Sequence, residues 1–387
     1  MTRGSRIADR AWSRPVPARR KALAWLAAAL VTPNALGQSA IRDPRSTPFA
    51  PVVPGYRLRF PHDEGSHPDF RIEWWYITGW LEDAGKPLGF QITFFRVRPE
   101  LKHDNPSGFA PRQIMIAHAA LSDPGRGSLL HAQRAARAGF GLAGADPGRT
   151  RTWIDEWRLE QKEKTISTGS GQAYLARIPA QDFSLDLAFT ATQEPLLQGA
   201  DGFSRKGPAP LSASYYYSLP HLAVEGTVLH GGKPRRVSGS AWLDHEWSSQ
   251  YMEKEAAGWD WIGINLDDGA ALMAFRMRDA QGGQLWAGGA LRHADGRVDA
   301  FPPSDVRFVP RRQWKSPRSG TTYPVSFLVQ AGNREFEIES LFDDQEHDTR
   351  ASTGTIYWEG AVRALRDGRV AGLGYLELTG YWRRVNL

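Results

Sequence analysis

Short runs of aromatic and β-branched residues, separated by Gly, Pro and Asp, recur along most of the chain. The sequence contains 39 Gly and 26 Pro, which interrupt it too often for long helices. Runs of this length between such residues are typical of antiparallel strands joined by turns. We therefore predict an all-β protein with little helix. The runs are 72–81, 90–97, 114–121, 183–190, 215–219, 259–266, 272–277, 325–329, 355–362 and 374–381.

The second part of this pattern repeats the first. Each copy opens with an aromatic strand followed by Phe-Arg-x-Arg, and closes with Glu-Gly-x-Val and an aromatic-Leu-acid triplet. The matching segments are 74–77 with 259–262, 95–98 with 275–278, 225–228 with 359–362, and 242–244 with 375–377. Four matches in the same order indicate two homologous antiparallel β-domains. We place them at 56–250 and 256–387, after a Pro-rich linker or arm at 38–55.

Residues 1–37 have the features of a secretory signal peptide. A basic stretch at 19–21 precedes an apolar run at 22–31, and Ala35 and Gly37 are the small residues expected before a cleavage site. The run is short for a membrane span. The leader predicts a periplasmic or secreted protein, exported by the general secretory route or, because of the arginine pair, by the twin-arginine route. Peripheral association with the membrane or the exporter stays open.

Charge and cysteine content exclude several classes of function. The chain has 48 Lys and Arg against 42 Asp and Glu, but residues 1–37 hold seven of the basic residues and one acid. The rest of the chain is neutral, which excludes a basic nucleic-acid surface. The absence of cysteine excludes disulfides, a thiol nucleophile and thiolate metal sites. The sequence has no nucleophile elbow, phosphate loop or dinucleotide fingerprint, so we predict no cofactor and no metal.

Strand alternation places a carboxylate among aromatic residues. On the first aromatic strand Glu73 shares a face with Trp75, while Trp74 and Tyr76 point to the other side. A buried ionised acid must be paired or neutralised. Glu73 therefore either has a raised pKa and acts as an acid, or forms a structural ion pair with an arginine such as Arg96.

The strongest candidate for chemistry is the segment Trp-Leu-Asp-His-Glu-Trp that closes the first copy. Alternation places Asp244 and Glu246 on one face, and His245 with Trp247 on the other. The aromatic residue, the leucine and the first acid recur in the second copy, whereas His245 and Glu246 have no counterpart there. Features shared by both copies are most simply explained by the fold, so this pair is favoured for function.

Five motifs carry a family resemblance. They are Phe-Pro-His-Asp-Glu-Gly-Ser-His-Pro at 60–68, Glu-Trp-Trp-Tyr at 73–76, Trp-Leu-Asp-His-Glu-Trp at 242–247, Gly-Trp-Asp-Trp at 258–261, and Gly-Tyr-Leu-Glu-Leu-Thr-Gly-Tyr at 374–381. They resemble the AttH-like family, whose relatives are the hydroxyneurosporene synthases, or carotenoid 1,2-hydratases. The resemblance covers 56–387 and implies two lipocalin-like β-barrel domains packed together. Many members are described only as secreted hydrolases, so it indicates the fold better than the activity.

The resemblance to the hydratases also implies site residues. That branch uses an aspartic acid with His, Trp and Tyr nearby, which points to Asp244, His245 and Trp247, with Asp260 as a rival acid. The ligand-binding residues expected around them are Glu73, Trp74, Trp75, Tyr76, His118, Tyr217, Trp247, Trp259 and Trp261.

Two functions of different classes remain. The first is a cofactor-independent hydratase for an apolar, isoprenoid- or lipid-like ligand. In it a carboxylic acid of a dry pocket protonates an isolated C=C bond. Indole faces stabilise the cation, and His245 orients or deprotonates the water. Asp244, Glu246 and Asp260 are the candidate acids. The second is a non-catalytic periplasmic carrier or interaction protein for the same ligand. A secreted hydrolase is a further alternative.

Two weaker candidates have simpler explanations. His118 shares a face with Ile114 and Ile116, which is typical of a hydrogen-bonded core histidine. The acids and histidines between 62 and 69 offer metal ligands, but their spacing matches no compact motif and prolines flank them. We expect a solvated surface loop there. The sequence does not define the oligomeric state.

Overall fold

A computed structural model describes residues 49–100, 107, 109–162 and 172–385. The predicted leader and most of the predicted arm at 38–55 lie outside these residues. The described part contains 23 strands in two antiparallel sheets and two short 3-10 helices, His62–Glu64 and Pro303–Asp305. The prediction of an all-β protein with little helix is confirmed. No helix in this part of the chain is long and apolar enough to cross a membrane.

The first sheet contains thirteen strands. They are β1 Ile72–Asp83, β2 Lys86–Val97, β3 Ile114–Ser122, β4 Leu130–Arg137, β5 Ala143–Ala145, β6 Arg151–Ile154, β7 Trp157–Gln161, β8 Ala173–Pro179, β9 Phe183–Thr190, β10 Leu196–Leu197, β11 Phe203–Arg205, β12 Ala213–His230 and β13 Lys233–Gln250. Their order is β4-β3-β2-β1-β13-β12-β9-β8-β7-β6-β5, with β10 and β11 paired to β12. The sheet curls into a nearly closed barrel, since Arg134 on β4 lies 2.7 Å from Glu156 beside β7.

The second sheet contains ten strands. They are β14 Ala256–Leu266, β15 Ala271–Asp279, β16 Gln284–Arg292, β17 Val298–Phe301, β18 Val306–Lys315, β19 Thr322–Ala331, β20 Arg334–Ser340, β21 Glu346–Asp348, β22 Ile356–Arg366 and β23 Arg369–Leu378. Their order is β17-β16-β15-β14-β23-β22-β20-β19-β18, with β21 paired to β22.

The two sheets share the arrangement that the sequence repeat predicts. In each of them the opening aromatic strand, β1 or β14, lies between its hairpin partner and the closing strand, β13 or β23. The antiparallel β-barrel architecture predicted from the sequence is therefore confirmed. Both sheets belong to one compact unit, and the domain boundaries at 56–250 and 256–387 stay a prediction.

Each sheet encloses its own apolar core, and a third core lies between the sheets. Trp75, Phe94 and Leu187 belong to the first core, while Ile262 and Phe327 belong to the second. The junction core combines side chains of β1, β12 and β13 with side chains of β14, β15 and β23: Tyr76, Trp80, Tyr216, Trp242, Trp261, Met273, Phe275 and Tyr375. The outward faces of the two aromatic strands are therefore covered by each other's sheet.

One hydrogen bond across this junction can be tested alone. The Trp80 indole donates to the Gly374 carbonyl at 2.9 Å. We expect Trp80→Phe to lower the free energy of unfolding by about 1–3 kcal/mol, because the carbonyl loses this buried donor. Urea unfolding monitored by circular dichroism measures the change. Trp153→Phe is the control, since that indole donates to Gly141 at an exposed position. Equal losses in both variants would contradict the interpretation.

Candidate active site

Strand β13 carries candidate side chains on two opposite faces. Asp244 and Glu246 point towards the second sheet, whereas His245 and Trp247 point into the core of the first. The alternation expected from the sequence is present, but it separates residues that the hydratase hypothesis combined in one pocket. His245 does not orient or deprotonate a water for Asp244, because the backbone of β13 lies between the two side chains.

A narrow cavity of about 60 Å³ lies between the two sheets. Its walls combine aromatic rings with four carboxyl groups, and none of the described Lys, Arg or His residues lines it. It has room for a few water molecules. The lining residues are Ile72, Trp74, Tyr76, Thr93, Phe95, Asp244, Glu246, Tyr251, Trp259, Trp261, Tyr357, Glu359 and Glu377. Below, we call this the acid cavity.

Asp244 accepts three short hydrogen bonds. The Tyr216 hydroxyl donates to Oδ2 at 2.6 Å, and the Ser218 hydroxyl and Trp242 indole donate to Oδ1, each at 2.6 Å. Burial raises the pKa of Asp244 to about 7, although the three donors favour the ionised form. The Trp261 indole donates to the Tyr216 hydroxyl at 3.1 Å. The carboxyl group is therefore fixed by residues of both sheets.

Lys206 supplies the buried positive charge beside the acid cavity. Its Nζ lies 2.8 Å from Glu246 Oε1 and 4.3 Å from the centre of the Phe275 ring. Burial lowers the pKa of Lys206 and raises that of Glu246, while their mutual attraction opposes both shifts. The Ser214 hydroxyl also donates to Glu246. Glu246 is thus the carboxyl group of the cavity whose charge is paired.

Glu359 and Glu377 are directly opposed on the neighbouring strands β22 and β23. The Trp259 indole donates to Glu377 at 3.1 Å, whereas Glu359 Oε1 is buried without a hydrogen-bond partner among the described residues. Burial and the charge of Glu377 raise the pKa of Glu359 well above its usual range. Burial, with the charges of Asp244 and Glu246, raises the pKa of Glu377 to about 7. Two facing carboxyl groups in such a site retain a proton at neutral pH.

Glu73 forms a separate network in the first core. Arg96 Nε donates to Oε2 at 2.6 Å, and His67 Nδ1 and His245 Nε2 contact Oε1 at 2.7 and 2.9 Å. Burial opposes ionisation, but the charges of Arg96 and His67 hold the pKa of Glu73 well below its usual range. The raised pKa considered for Glu73 is therefore wrong, and the ion pair with Arg96 is the arrangement observed. Burial lowers the pKa of His245 to about 4.

Asp260 is buried in the second core. Its carboxylate lies 2.6 Å from Arg276 Nε and 2.9 Å from Arg278 Nε, and it does not line the acid cavity. A carboxylate held between two guanidinium groups forms charge-assisted hydrogen bonds with both of them. The structure therefore separates this rival acid from the other candidate acids.

The loop before β1 is not the solvated surface expected from its sequence. Asp63 and Glu64, within the 3-10 helix, are both buried. Asp63 accepts from the Tyr56 hydroxyl at 2.8 Å, and Glu64 accepts from two glutamine side chains. The short helix turns both carboxylates inwards. Among the described residues, the one group of three potential metal ligands that lie close enough together is His67, Glu73 and His245.

His118 is a hydrogen-bonded core histidine, as its face predicts. Its Nδ1 lies 2.9 Å from the Tyr357 hydroxyl, and its Nε2 lies 2.9 Å from the Ser352 hydroxyl. Burial lowers its pKa to about 3, so the ring is neutral. Tyr357 lies on β22 of the second sheet and Ser352 lies just before that strand. His118, on β3 of the first sheet, therefore also joins the two sheets.

Comparison with known proteins agrees with this architecture. The family model described as AttH-like matches residues 51–381. The chain belongs to the AttH-like family. A crystal structure of a protein assigned as AttH from Nitrosomonas europaea is 53% identical, with a TM-score of 0.79, and covers 86% of this chain and 100% of its own. The match confirms the family resemblance carried by the sequence motifs.

A more distant structure shares the fold of this AttH-like protein. Kievitone hydratase from Nectria haematococca is 13% identical, with a TM-score of 0.61, over 87% of this chain and 99% of its own. At this identity the likeness concerns the fold alone. No curated protein sequence matches the chain.

The predicted site residues of the AttH-like chain divide into separate groups. Those that line the acid cavity are Asp244, Glu246, Trp74, Tyr76, Trp259 and Trp261. Those in the first core are Glu73, Trp75, Tyr217, His245 and Trp247. Sequence reasoning did not single out Glu359, Glu377, Tyr216 and Lys206. A signal was present for Glu377, which aligns with Asp244 in the repeat, and for Glu359, which opens the repeated Glu-Gly-x-Val segment.

Asp260 provides a test of a structural carboxylate. We expect Asp260→Asn to lower the free energy of unfolding by about 3–5 kcal/mol, because it leaves two buried guanidinium groups without a counter-charge. Chemical unfolding measures the loss. Asp299→Asn is the control, since this half-exposed carboxylate pairs with His293 and Arg297 at the surface and should contribute far less to stability. An Asp260→Asn protein of native stability would contradict the assignment.

The acid cavity predicts a pH dependence of stability. The pKa of Glu377 rises from its usual value to about 7 on folding, so between about pH 4 and this value the folded state binds more protons than the unfolded state. This contribution to stability is present at low pH and is lost as the pH rises through the raised pKa. We expect the free energy of unfolding of Glu377→Gln to fall less steeply across this window than that of the wild type. Unfolding titrations at several pH values measure both slopes, and equal slopes would contradict the raised pKa.

Proposed function

We propose that this AttH-like protein is a cofactor-independent hydratase, which adds water across an isolated C=C bond of an apolar, isoprenoid- or lipid-like ligand. The observation that carries the proposal is the pair Glu359 and Glu377, which face each other in an aromatic cavity whose lining, in the described part of the chain, contains no Lys, Arg or His. Such a pair holds a proton where a carboxylate alone would be ionised. Kievitone hydratase has the same fold, so the scaffold is compatible with this class of reaction.

Glu359 is the proton donor in this proposal. One of its carboxyl oxygens is buried without a hydrogen-bond partner among the described residues. The Tyr76 and Tyr357 hydroxyls beside the carboxyl group partly oppose the rise of its pKa. A carbon–carbon double bond placed against this oxygen could take the proton. Transfer of the proton to one alkene carbon leaves Glu359 as a carboxylate and the other carbon as a cation. Glu377, opposite, keeps the hydrogen bond that the Trp259 indole donates to it.

Aromatic rings would stabilise the cation. Trp74, Trp259 and Trp261 line the cavity together with its acids, and Tyr251 contacts both Trp74 and Trp259 edge to face. A cation over an indole face gains about 2 kcal/mol when water is excluded. This stabilisation acts on the charged intermediate and not on the neutral ligand, which is the condition for an increase in rate.

Asp244 is the base that completes the addition. Three donors hold its carboxylate in one orientation, and it lines the same cavity as Glu359. A water that attacks the cation forms the new C–O bond and gives a proton to Asp244. Proton transfer from Asp244 back to the Glu359–Glu377 pair restores the starting state, so no redox partner or cofactor is consumed. Opposed carboxyl groups with different environments are a recurring basis for acid and base roles in one site.

A carrier function is the second candidate, and a groove beside the acid cavity favours it. The groove has a volume of about 300 Å³ and is lined by Trp80, His221, Trp242, Asn265, Leu266 and Leu373, among others. This is the lower end of the volume range of sites for organic ligands, whereas the acid cavity admits only a reacting end of such a molecule. A carrier would use the groove and leave the ligand unchanged. The predicted N-terminal leader is compatible with either function outside the cytoplasm.

Labelled water distinguishes the two functions. The purified protein is incubated with acyclic isoprenoid alkenes of increasing length in heavy-oxygen water, and mass spectrometry detects labelled alcohols. We expect Glu359→Gln and Asp244→Asn to lower turnover by about 10²–10⁴-fold, the contribution of general acid or base catalysis. Glu337→Gln, an exposed acid on β20, is the matched control and should retain wild-type turnover.

Two outcomes would contradict hydration in the acid cavity. An alkene that co-purifies with the protein or binds it, and gives no labelled alcohol, would favour the carrier. Turnover that survives in both acid-cavity variants would place the chemistry elsewhere.

A further inference from the structure

A second set of chemical groups lies on the opposite side of β13 from the acid cavity. His67 follows the 3-10 helix at 62–64, Glu73 lies on β1 and His245 lies on β13. Their facing atoms are His67 Nδ1, Glu73 Oε1 and His245 Nε2, with contacts of 2.7 and 2.9 Å to the shared carboxylate oxygen. All three atoms lie within 4.8 Å of one another. The proposed hydration does not use this cluster.

The donor set is one that catalytic zinc sites use. Two imidazole nitrogens and one carboxylate oxygen, with a free position, form the His2Glu set of zinc enzymes. A metal at about 2.0–2.1 Å from each ligand requires ligand atoms about 3.3 Å apart. The observed contacts of 2.7 and 2.9 Å to Glu73 are shorter by about half an ångström, so small side-chain shifts make room for the ion.

Each of the three side chains also has an outer partner on the atom that faces away from the centre. Asp63 Oδ1 lies 3.5 Å from His67 Nε2, the Tyr217 hydroxyl lies 3.2 Å from His245 Nδ1, and Arg96 Nε lies 2.6 Å from Glu73 Oε2. Metal-bound histidines almost always have a carboxylate, carbonyl or similar partner on the second nitrogen. A complete outer shell is a more specific feature than the three ligands alone.

Aromatic stacking fixes the orientation of both imidazole rings. The His67 ring is parallel to the Trp247 ring at 3.7 Å, with an angle of 7° between them. The His245 ring stacks on Trp75 at 4.6 Å. The rings are therefore held in place before any ion binds, which reduces the entropy that binding costs. The Arg96 guanidinium adds positive charge beside Glu73, and the buried Asp63 carboxylate offsets it.

From this geometry we propose that His67, Glu73 and His245 form a binding site for Zn²⁺ or a similar first-row divalent cation. The site joins the loop before β1 to β13 and lies on the other side of the sheet from the acid cavity. It is independent of the proposed hydration, since a metal bound here touches none of the cavity acids. The sequence analysis expected the acids and histidines of this loop to lie on a solvated surface. In the structure, His67 of the loop forms the ligand set with Glu73 and His245, which lie on two strands.

The experiment uses the full chain, stripped with a chelator and dialysed. Zn²⁺ is added, excess metal is removed, and the metal content is measured by plasma mass spectrometry. Co²⁺ is added in parallel, because a tetrahedral nitrogen–oxygen site gives visible absorption bands. We expect one metal per chain, a higher melting temperature with metal, and the Co²⁺ bands.

Two variants keep the hydrogen bond to Glu73 while removing the imidazole ligands. His245→Gln places an amide nitrogen near the position of Nε2, and His67→Asn does so for Nδ1, so each can still donate to Glu73. We expect both to lose the bound metal and the metal-dependent rise in melting temperature, with little change in the metal-free protein. Tyr217→Phe removes only an outer partner and should weaken Zn²⁺ binding by about 10–100-fold.

His347→Gln is the control, because His347 lies in a different histidine group beside His118 and His131. It should bind metal as the wild type does. Metal retained by both His245→Gln and His67→Asn would overturn the proposal by placing the ion elsewhere. A wild-type chain that binds no Zn²⁺ at micromolar concentration would also overturn it, and would leave these groups as a hydrogen-bonded network that anchors the loop.

Discussion

The alternation of side chains along β13 is the constraint on which the rest of the structure depends. Consecutive residues of a strand point to opposite faces, and both faces of β13 are covered, one by the first core and one by the second sheet. Asp244 and Glu246 therefore face the acid cavity, while His245 between them contacts Glu73 in the core. One strand thus presents two separate groups of ionisable side chains, and neither group can move to the other face without a shift in register.

Buried charge is compensated differently on the two faces of β13. In the first core, Glu73 keeps its charge because Arg96 and two histidines surround it. In the acid cavity, Lys206 pairs with Glu246, and the other three carboxyl groups have no ion pair with a Lys or Arg of the described residues. Complete ionisation there would leave uncompensated charge, so protonation is the way in which burial is tolerated. The acidity that the proposed reaction requires is therefore a consequence of how the sheets pack.

Much of the fold could be predicted from the sequence, because its central strands are aromatic and β-branched. The strands that the pattern missed are those with many arginines or small residues, such as β4 and β18, whose outward faces are exposed. Alternation also predicted the faces of Asp244 and His245. It could not predict what covers each face, because that depends on how two sheets pack. For the same reason, the sequence did not show whether Glu73 and Asp260 form structural ion pairs or act as catalytic acids.

The repeat itself leads to the last correction. Residues present in both copies were attributed to the fold, and residues in one copy were favoured for function. The structure brings equivalent positions of the two copies, Asp244 and Glu377, to one cavity, together with the equivalent tryptophans Trp74 and Trp259. When two homologous sheets pack through the same face, a residue conserved between them appears twice at the junction. Duplication of an outward-facing acid therefore creates a cluster of acids, and a feature shared by both copies is the origin of the candidate chemistry.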